Sequence, residues 1–270
     1  VGFTVHGYAD VVPPPPLDAR ALADAVLGPV AMVEPVQGFA GNQTFRLHTS
    51  RGVYYLKSGT TVEAEARACA LARSVGVPAP EVLVVEPSYL ICAEVPGGPS
   101  EASAVFEAAG RGFRRLHSLR GEGNWVAQLQ QTIERLDVLA DVVPDDLARR
   151  VREVVPPFID TVAEVEPVLL HADLHPRHLY AVGNELTGVI DWGDAMYGDP
   201  LFDVARFTMS GEAATEAFLA GYDLRRTPDL DRTLSSYRVV WSLMALHAEH
   251  EAGGDWFAAH VQRITRELAA

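Results

Sequence analysis

Residues 171–191 read HADLHPRHLYAVGNELTGVID, and this stretch decides how the rest of the chain is read. Asp173 follows His171 by two positions, Pro176 interrupts any helix, and the apolar run Leu186 to Ile190 reads as a short strand with a second carboxylate, Asp191, at its exit. Apolar Val168 to Leu170 leads in, so His171 and Asp173 fall on an irregular loop just after buried chain. Phosphoryl transfer uses two carboxylates in such a setting. One receives the proton of an attacking hydroxyl, and the other holds a hard divalent cation on the nucleotide phosphates. Asp173 and Asp191 are the candidates. Taken singly, a loop aspartate is a turn or cap residue, and a loop histidine is a satisfied hydrogen-bonding group. Three histidines around one aspartate also raise a metal centre, but neither H-E-x-x-H nor cysteine spacing supports zinc.

Working outward, Lys57 ends the run VYYLK, where a lysine is ordinarily a solvated strand end. On the following helix, Glu65 falls on the same stripe as Val62, Ala66 and Cys69. An inward carboxylate needs a cation, and Lys57 is the near one in sequence. A lysine on a strand paired with a glutamate on the next helix is how kinase-type sites orient the α- and β-phosphates. The alternative is a solvated glutamate beside Glu63 and Arg67. Gly38, Gly41 and Asn42 lie between two strand candidates, where small residues let backbone N–H groups approach phosphate, although two glycines in a hairpin also make an ordinary turn.

The periodicity divides the chain. Pro13 to Pro16 is an extended spacer before an amphipathic segment, Leu17 to Leu27, with Leu17, Ala21, Leu22 and Val26 as the expected buried face. Val30 to Val36, Gln43 to Thr49 and Val53 to Lys57 read as an antiparallel meander. A capping box at Thr60 to Glu63 opens a helix that stops before Gly76 and Pro78. Strands Glu81 to Val85 and Tyr89 to Val95 then run into the Pro96, Gly97, Gly98, Pro99 cluster, the expected hinge. Beyond it the pattern is helical: Ala102 to Leu119, Val126 to Ala140, Asp145 to Thr161, and helices from Pro200, Glu212, Leu230 and Trp256. Asp199, Pro200 and Asp203 read as cap and first-turn residues supporting the site. The expectation is an α+β protein with a small β-rich lobe over 1–95 and a larger helical lobe over 96–270, hinged at 94–99.

The 270 residues, 48% hydrophobic, suffice for such a core. Cys69 and Cys92 are too few for a disulfide framework and fit a reducing cytoplasm. No apolar stretch is long enough to span a bilayer. With 36 acidic against 22 basic residues the net charge is −14, which argues against nucleic acid or an anionic membrane as partner. That charge is compatible with a cationic ligand, and equally with solubility alone. The C-terminal helices offer Trp241, His247, Glu249, His250, Glu251, Asp255 and Trp256 for an acceptor pocket, though helical spacing with Leu234, Tyr237 and Met244 makes Trp241 a core residue.

In order along the chain, GFAGN, Lys57, Glu65, SVGVPAPEVL, the hinge after Glu94, GFRRLHSL, HADLHPRHLY, GVIDWGDAMYGDP and LFDVARF resemble the aminoglycoside phosphotransferase family, a branch of the protein-kinase-like fold that also contains choline and homoserine kinases. The resemblance implies a small-molecule kinase using ATP or GTP with Mg2+ or Mn2+. Lys57 would orient the phosphates, Glu65 would fix Lys57, and Glu94 and Val95 would present backbone groups to the purine. Asp173 would be the catalytic aspartate and Asp191 the metal-binding one. The implied acceptor is a hydroxyl of a small molecule, such as an aminoglycoside or other antibiotic. A cellular metabolite, or a nucleotide-binding protein with little catalysis, stands as the alternative. The pattern departs at His178, where the family carries a metal-binding Asn, and at Ala172, where it carries Gly. Imidazole at 178 suits Mn2+ and other transition ions better than Mg2+. The short connection from Asp191 to Asp199 leaves little room for a protein-kinase activation loop.

Overall fold

A computed structural model describes residues 17–36 and 42–269; Gly38, Gly41 and the Pro13 to Pro16 spacer lie outside them. The first helix, α1 (Ala19–Leu27), is capped by Asp18, whose carboxylate accepts from Ala21 N. Its buried stripe is Ala19, Ala23 and Leu27, not the expected Leu17, Ala21, Leu22 and Val26. Spacing of four selects that line, and Leu22 and Val26 flank it half-buried.

Strands β1 (Val30–Val36), β2 (Thr44–Thr49) and β3 (Gly52–Ser58) form the expected meander. After helix α2 (Val62–Ser74), strands β4 (Val82–Glu86) and β5 (Tyr89–Ala93) complete a five-stranded antiparallel sheet of order β1-β2-β3-β5-β4. Pairing of Lys57 with Leu90 and Thr44 places the lysine at the centre of the sheet. The capping box does not form: α2 starts one residue later, with Thr61 at the cap position and no side-chain cap. Its C-terminal stop before Gly76 is as read.

Gly98–Pro99 is a short strand, β6, that pairs with β8 (Leu179–Val182), which in turn pairs with β9 (Glu185–Val189). Gly97, at φ +92°, makes this approach possible, because a Cβ there would stand 2.0 Å from the Ala181 carbonyl oxygen. Helices α3 (Ser103–Leu116), α4 (Trp125–Glu134), α5 (Asp145–Val162), α6 (Leu201–Thr208), α7 (Glu212–Tyr222), α8 (Pro228–Ala252) and α9 (Phe257–Glu267) follow. The helix read over Val126 to Ala140 tightens into a 3-10 segment at Arg135–Leu139. Strands β7 (Val168–Leu170) and β10 (Met196–Gly198) pair beneath the loops of interest.

The main apolar core gathers around Phe113, Trp192, Phe202, Phe207, Phe218 and Tyr237, all fully buried. Each such side chain contributes roughly 1.5–3 kcal/mol of transfer free energy. The cluster also takes in Ala68, Cys69 and Ala72 of α2, so that helix packs toward the helical region as well as the sheet. Helices α3 and α7 meet closely enough that a Cβ on Gly221 would collide with the Glu107 carbonyl. At the end of α3, His117 lies opposite Asp203 of α6.

Candidate active site

The loop after β7 is held by one buried carboxylate. Asp203, fully buried on α6, accepts from His171 N (2.9 Å, Oδ2) and Ala172 N (2.7 Å, Oδ1) and lies 3.1 Å from His117 Nε2. His117 Nδ1 meets the Tyr222 hydroxyl at 2.7 Å. The partners of His171 fix its tautomer: Nε2 donates to Ile190 O (2.9 Å) and Nδ1 accepts from Asp173 N (3.3 Å). It therefore ties the loop carrying Asp173 to the strand exit carrying Asp191. Ala172 follows this path at φ +67°, a backbone region that suits glycine. Asp199 caps α6 through Leu201 N and accepts from the Tyr237 hydroxyl, each at 2.7 Å. Asp199 and Asp203 are thus the structural supports that their positions in sequence suggested.

Lys57 Nζ lies 2.5 Å from Glu65 Oε1 and 3.0 Å from Asp191 Oδ1. The strand lysine, the helix glutamate and the loop aspartate converge although 134 positions separate Lys57 from Asp191. Burial pulls the Lys57 ammonium down, but Glu65 and Asp191 outweigh it and hold its pKa above the ordinary lysine value. The Asp191 side chain opens into the cleft; burial raises its carboxyl, and Lys57 and then His178 more than offset this, leaving it below the usual carboxylate range.

Asp173 has two oxygens in different surroundings. Oδ1 accepts from Arg206 Nε at 2.8 Å, and Oδ2 faces His175 Nε2 at 3.6 Å. Burial opposes its ionisation, but His175, Arg206 and His178 hold the carboxyl well below the usual range. Arg206 is itself fixed: its guanidinium carbon lies 4.0 Å from the ring centroid of Trp241, whose Nε1 donates to Ala172 O at 3.1 Å. Arg206 and Trp241 are the residues that sequence reading missed or placed in the core.

His178 Nδ1 donates to Asp173 O at 2.9 Å, which leaves the lone pair on Nε2, 3.6 Å from Asp191 Oδ2. An imidazole lone pair and a carboxylate facing each other across that gap fit a shared divalent cation. Asp173, His175 and His178 also bring potential ligand atoms within 4.8 Å of one another. This second grouping is poorly arranged. Arg177 N donates to His175 Nδ1 (3.2 Å), so neutral His175 carries its proton on Nε2, the atom facing Asp173.

Just after β5, Glu94 binds Arg46 (2.7 Å), and its own N–H donates to Val53 O (3.0 Å). That N–H is not available to a purine. The Glu94 carbonyl and the Val95 N–H make no backbone hydrogen bond among the described residues. Val95 packs so closely on β9 that a Cβ on Gly188 would lie 2.2 Å from it. Asn42 is exposed, and its Oδ1 approaches Gly59. Of the polar residues at the end of α8, His247 bonds Thr132 O (3.0 Å), Glu251 pairs with Arg135, and His250 lies 3.6 Å from Asp141. These face α4 and the segment after it.

Residues 33–235 match the sequence profile of the phosphotransferase enzyme family. The chain belongs to that family. Among solved structures, the apo form of a thermostable mutant of aminoglycoside phosphotransferase APH(4)-Ia superposes with a TM-score of 0.74 at 20% identity, covering 93% of this chain and 98% of that one. A further structure of that aminoglycoside phosphotransferase, a ternary complex with ADP and hygromycin B, gives 0.71 at 19% identity over 94% and 100%. A choline/ethanolamine kinase family protein from Mesorhizobium loti gives 0.68 at 22% identity over 93% of each chain. In sequence, 92 residues are 30% identical to the uncharacterized protein YcbJ of Bacillus subtilis strain 168, spanning 31% of this chain and 30% of that protein. The phosphotransferase family's two-lobed, protein-kinase-like fold is the one read from the sequence. Among the described residues no helix is long and apolar enough to cross a membrane.

Proposed function

We propose that this protein transfers the γ-phosphoryl group of ATP or GTP to a hydroxyl of a small molecule. The observation that carries this reading is the convergence of Lys57, Glu65, Asp191, His178 and Asp173 from separate elements onto one cleft. Lys57, oriented by Glu65, meets the nucleotide phosphates, and the Glu94 carbonyl and Val95 N–H serve the purine. Asp191 and His178 Nε2 would hold Mg2+ or Mn2+, which would supply charge neutralisation at the phosphates. The Lys57 ammonium is engaged by Asp191, and phosphate oxygens would compete for it.

Asp173 orients the acceptor. With Oδ1 taken by Arg206, Oδ2 is the oxygen left for the acceptor's O–H. The hydroxyl oxygen forms a bond to the γ-phosphorus as the bond to the leaving β,γ-bridging oxygen breaks, and the proton passes to Asp173 Oδ2. So acidic a carboxyl is a weak base. Phosphoryl transfer tolerates this, because its loose transition state asks more for positioning than for early deprotonation. The phosphotransferase relatives act on antibiotics or amino alcohols by name, and an antibiotic acceptor is one option for this chain.

The test is nucleotide turnover coupled to a phosphorylated acceptor: ADP or GDP release that depends on a divalent cation, an added alcohol and Asp173. Release unchanged in Asp173→Asn would remove the reading.

A further inference from the structure

The acceptor side of the proposed site is basic, in a chain of net charge −14. Arg206 of α6 stands over Trp241 of α8, and the Trp241 ring lies 5.8 Å from the ring of His260 on α9. Arg263 follows His260 by three positions and so lies on the same side of that helix. His260 is only 8% exposed, and its Nδ1 is buried with no hydrogen-bond partner. The Nε of Arg263 is likewise buried and unpartnered. Buried polar atoms left without a partner are costly, and an incoming group that bonds them would recover that cost.

The pairing of charges points the same way. Asp173 is matched by Arg206 and Glu267 by Arg238 at 2.7 Å. Arg177 and Arg263 have no carboxylate within 4.0 Å among the described residues. Burial first, then Arg206, depresses the Arg263 pKa; Arg177 acts in the same sense on Arg206. The remaining carboxyl whose charge reaches Arg206 is Asp194, which is exposed. An amino alcohol or aminoglycoside would bring further positive charge against these arginines.

We propose that the hydroxyl acceptor carries an anionic group, a carboxylate or a phosphate monoester, received by Arg263 and His260 while Arg206 and Trp241 hold the hydroxyl-bearing end beside Asp173. This rests on the phosphotransferase reading and narrows its substrate class. The planar guanidinium of Arg263 and the N–H of His260 together match the oxygens of either group.

The experiment uses the full chain saturated with ADP and Mg2+, titrated calorimetrically with four small alcohols: glycerol, choline, glycerate and glycerol 3-phosphate. At least one of the two anions should bind ten-fold or more tighter than glycerol, and choline no tighter than glycerol. Which of the two leads separates a carboxylate from a phosphate. Arg263→Glu should erase the anion preference and Arg263→Lys should keep most of it, with ADP affinity intact in both as the control on folding. Anions binding no better than glycerol, choline binding best, or an unchanged preference in Arg263→Glu would each overturn the proposal. Anion preference without any binding of ADP would instead count against the phosphotransferase reading and leave the anion site standing.

Discussion

Asp173 shows how much of a site one residue can carry and how little of that its own position in sequence reveals. The carboxylate stands out only alongside Asp191, since a lone loop aspartate reads as a turn or cap; its partner Arg206 is 33 positions away. An arginine near the end of a short helix reads as solvated. The missed signal is the spacing from Asp203 to Arg206: once Asp203 is read as inward, a residue three positions on shares its face. Asp173→Asn should lower phosphoryl transfer by about 10²- to 10⁴-fold, because the amide cannot take the hydroxyl proton. Nucleotide affinity, measured by titration, should stay within a few-fold, since Asp173 touches neither Lys57 nor Glu65. A second consequence concerns His178, whose departure from the phosphotransferase pattern is plain in sequence but whose orientation is not. With Nε2 turned to Asp191, a nitrogen ligand should make activity favour Mn2+ over Mg2+. His178→Asn should reverse that order, and steady-state rates in the two metals check it. Equal metal preference in both proteins would remove His178 as a ligand.

At the scale of elements, the strands and helices follow the sequence closely where apolar period and turn residues agree, as in β1, α5 and α7. They diverge where two local solutions compete. The capping box at Thr60 yields to a start at Val62, and α1 buries the stripe through Ala23 where Ala21 was expected. Both errors are shifts of one or two residues, and propensity alone cannot resolve them because the deciding contacts lie on other elements. The Asp203 network is a further case: its helix was legible, but its bonds to the loop 32 positions earlier were not. Asp203→Asn would set an amide N–H₂ either against Ala172 N or against His171 N and the His117 ring, in a place no water reaches. The expected loss is about 3 kcal/mol of unfolding free energy, in the range for a buried, charge-assisted network. Denaturant titration at constant m-value measures it. A loss below about 0.5 kcal/mol would mean that the loop is held chiefly by packing around Trp192 and Phe113.

For the whole molecule, the question is whether the sheet and the helical region behave as one unit. The boundary at 94–99, read from the Pro/Gly cluster, divides the chain by composition. Several features cross it, among them the apolar cluster joining α2 to α3, the bonds from Arg115 to Val75 O and Gly76 O and from Val189 N to Pro78 O, and the ion pair from Lys57 to Asp191. The cluster makes no use of charge, whereas the ion pair is the part that nucleotide phosphates would compete for. All four tryptophans, at 125, 192, 241 and 256, lie beyond the boundary, so their fluorescence reports on the helical region alone, whereas far-ultraviolet dichroism reports on both regions. If the shared core couples them, the two signals should give coincident unfolding curves. Nucleotide with Mg2+ at a hundred times its Kd should then shift both curves together by about 2.7 kcal/mol. In Lys57→Ala the shift should shrink sharply at the same concentration, because the phosphates lose their ammonium. Separate transitions, with nucleotide moving the dichroism while tryptophan fluorescence stays fixed, would show that the cluster through Ala68, Cys69 and Ala72 is too weak to bind the regions into one folding unit, and that the cleft is joined chiefly by its charges.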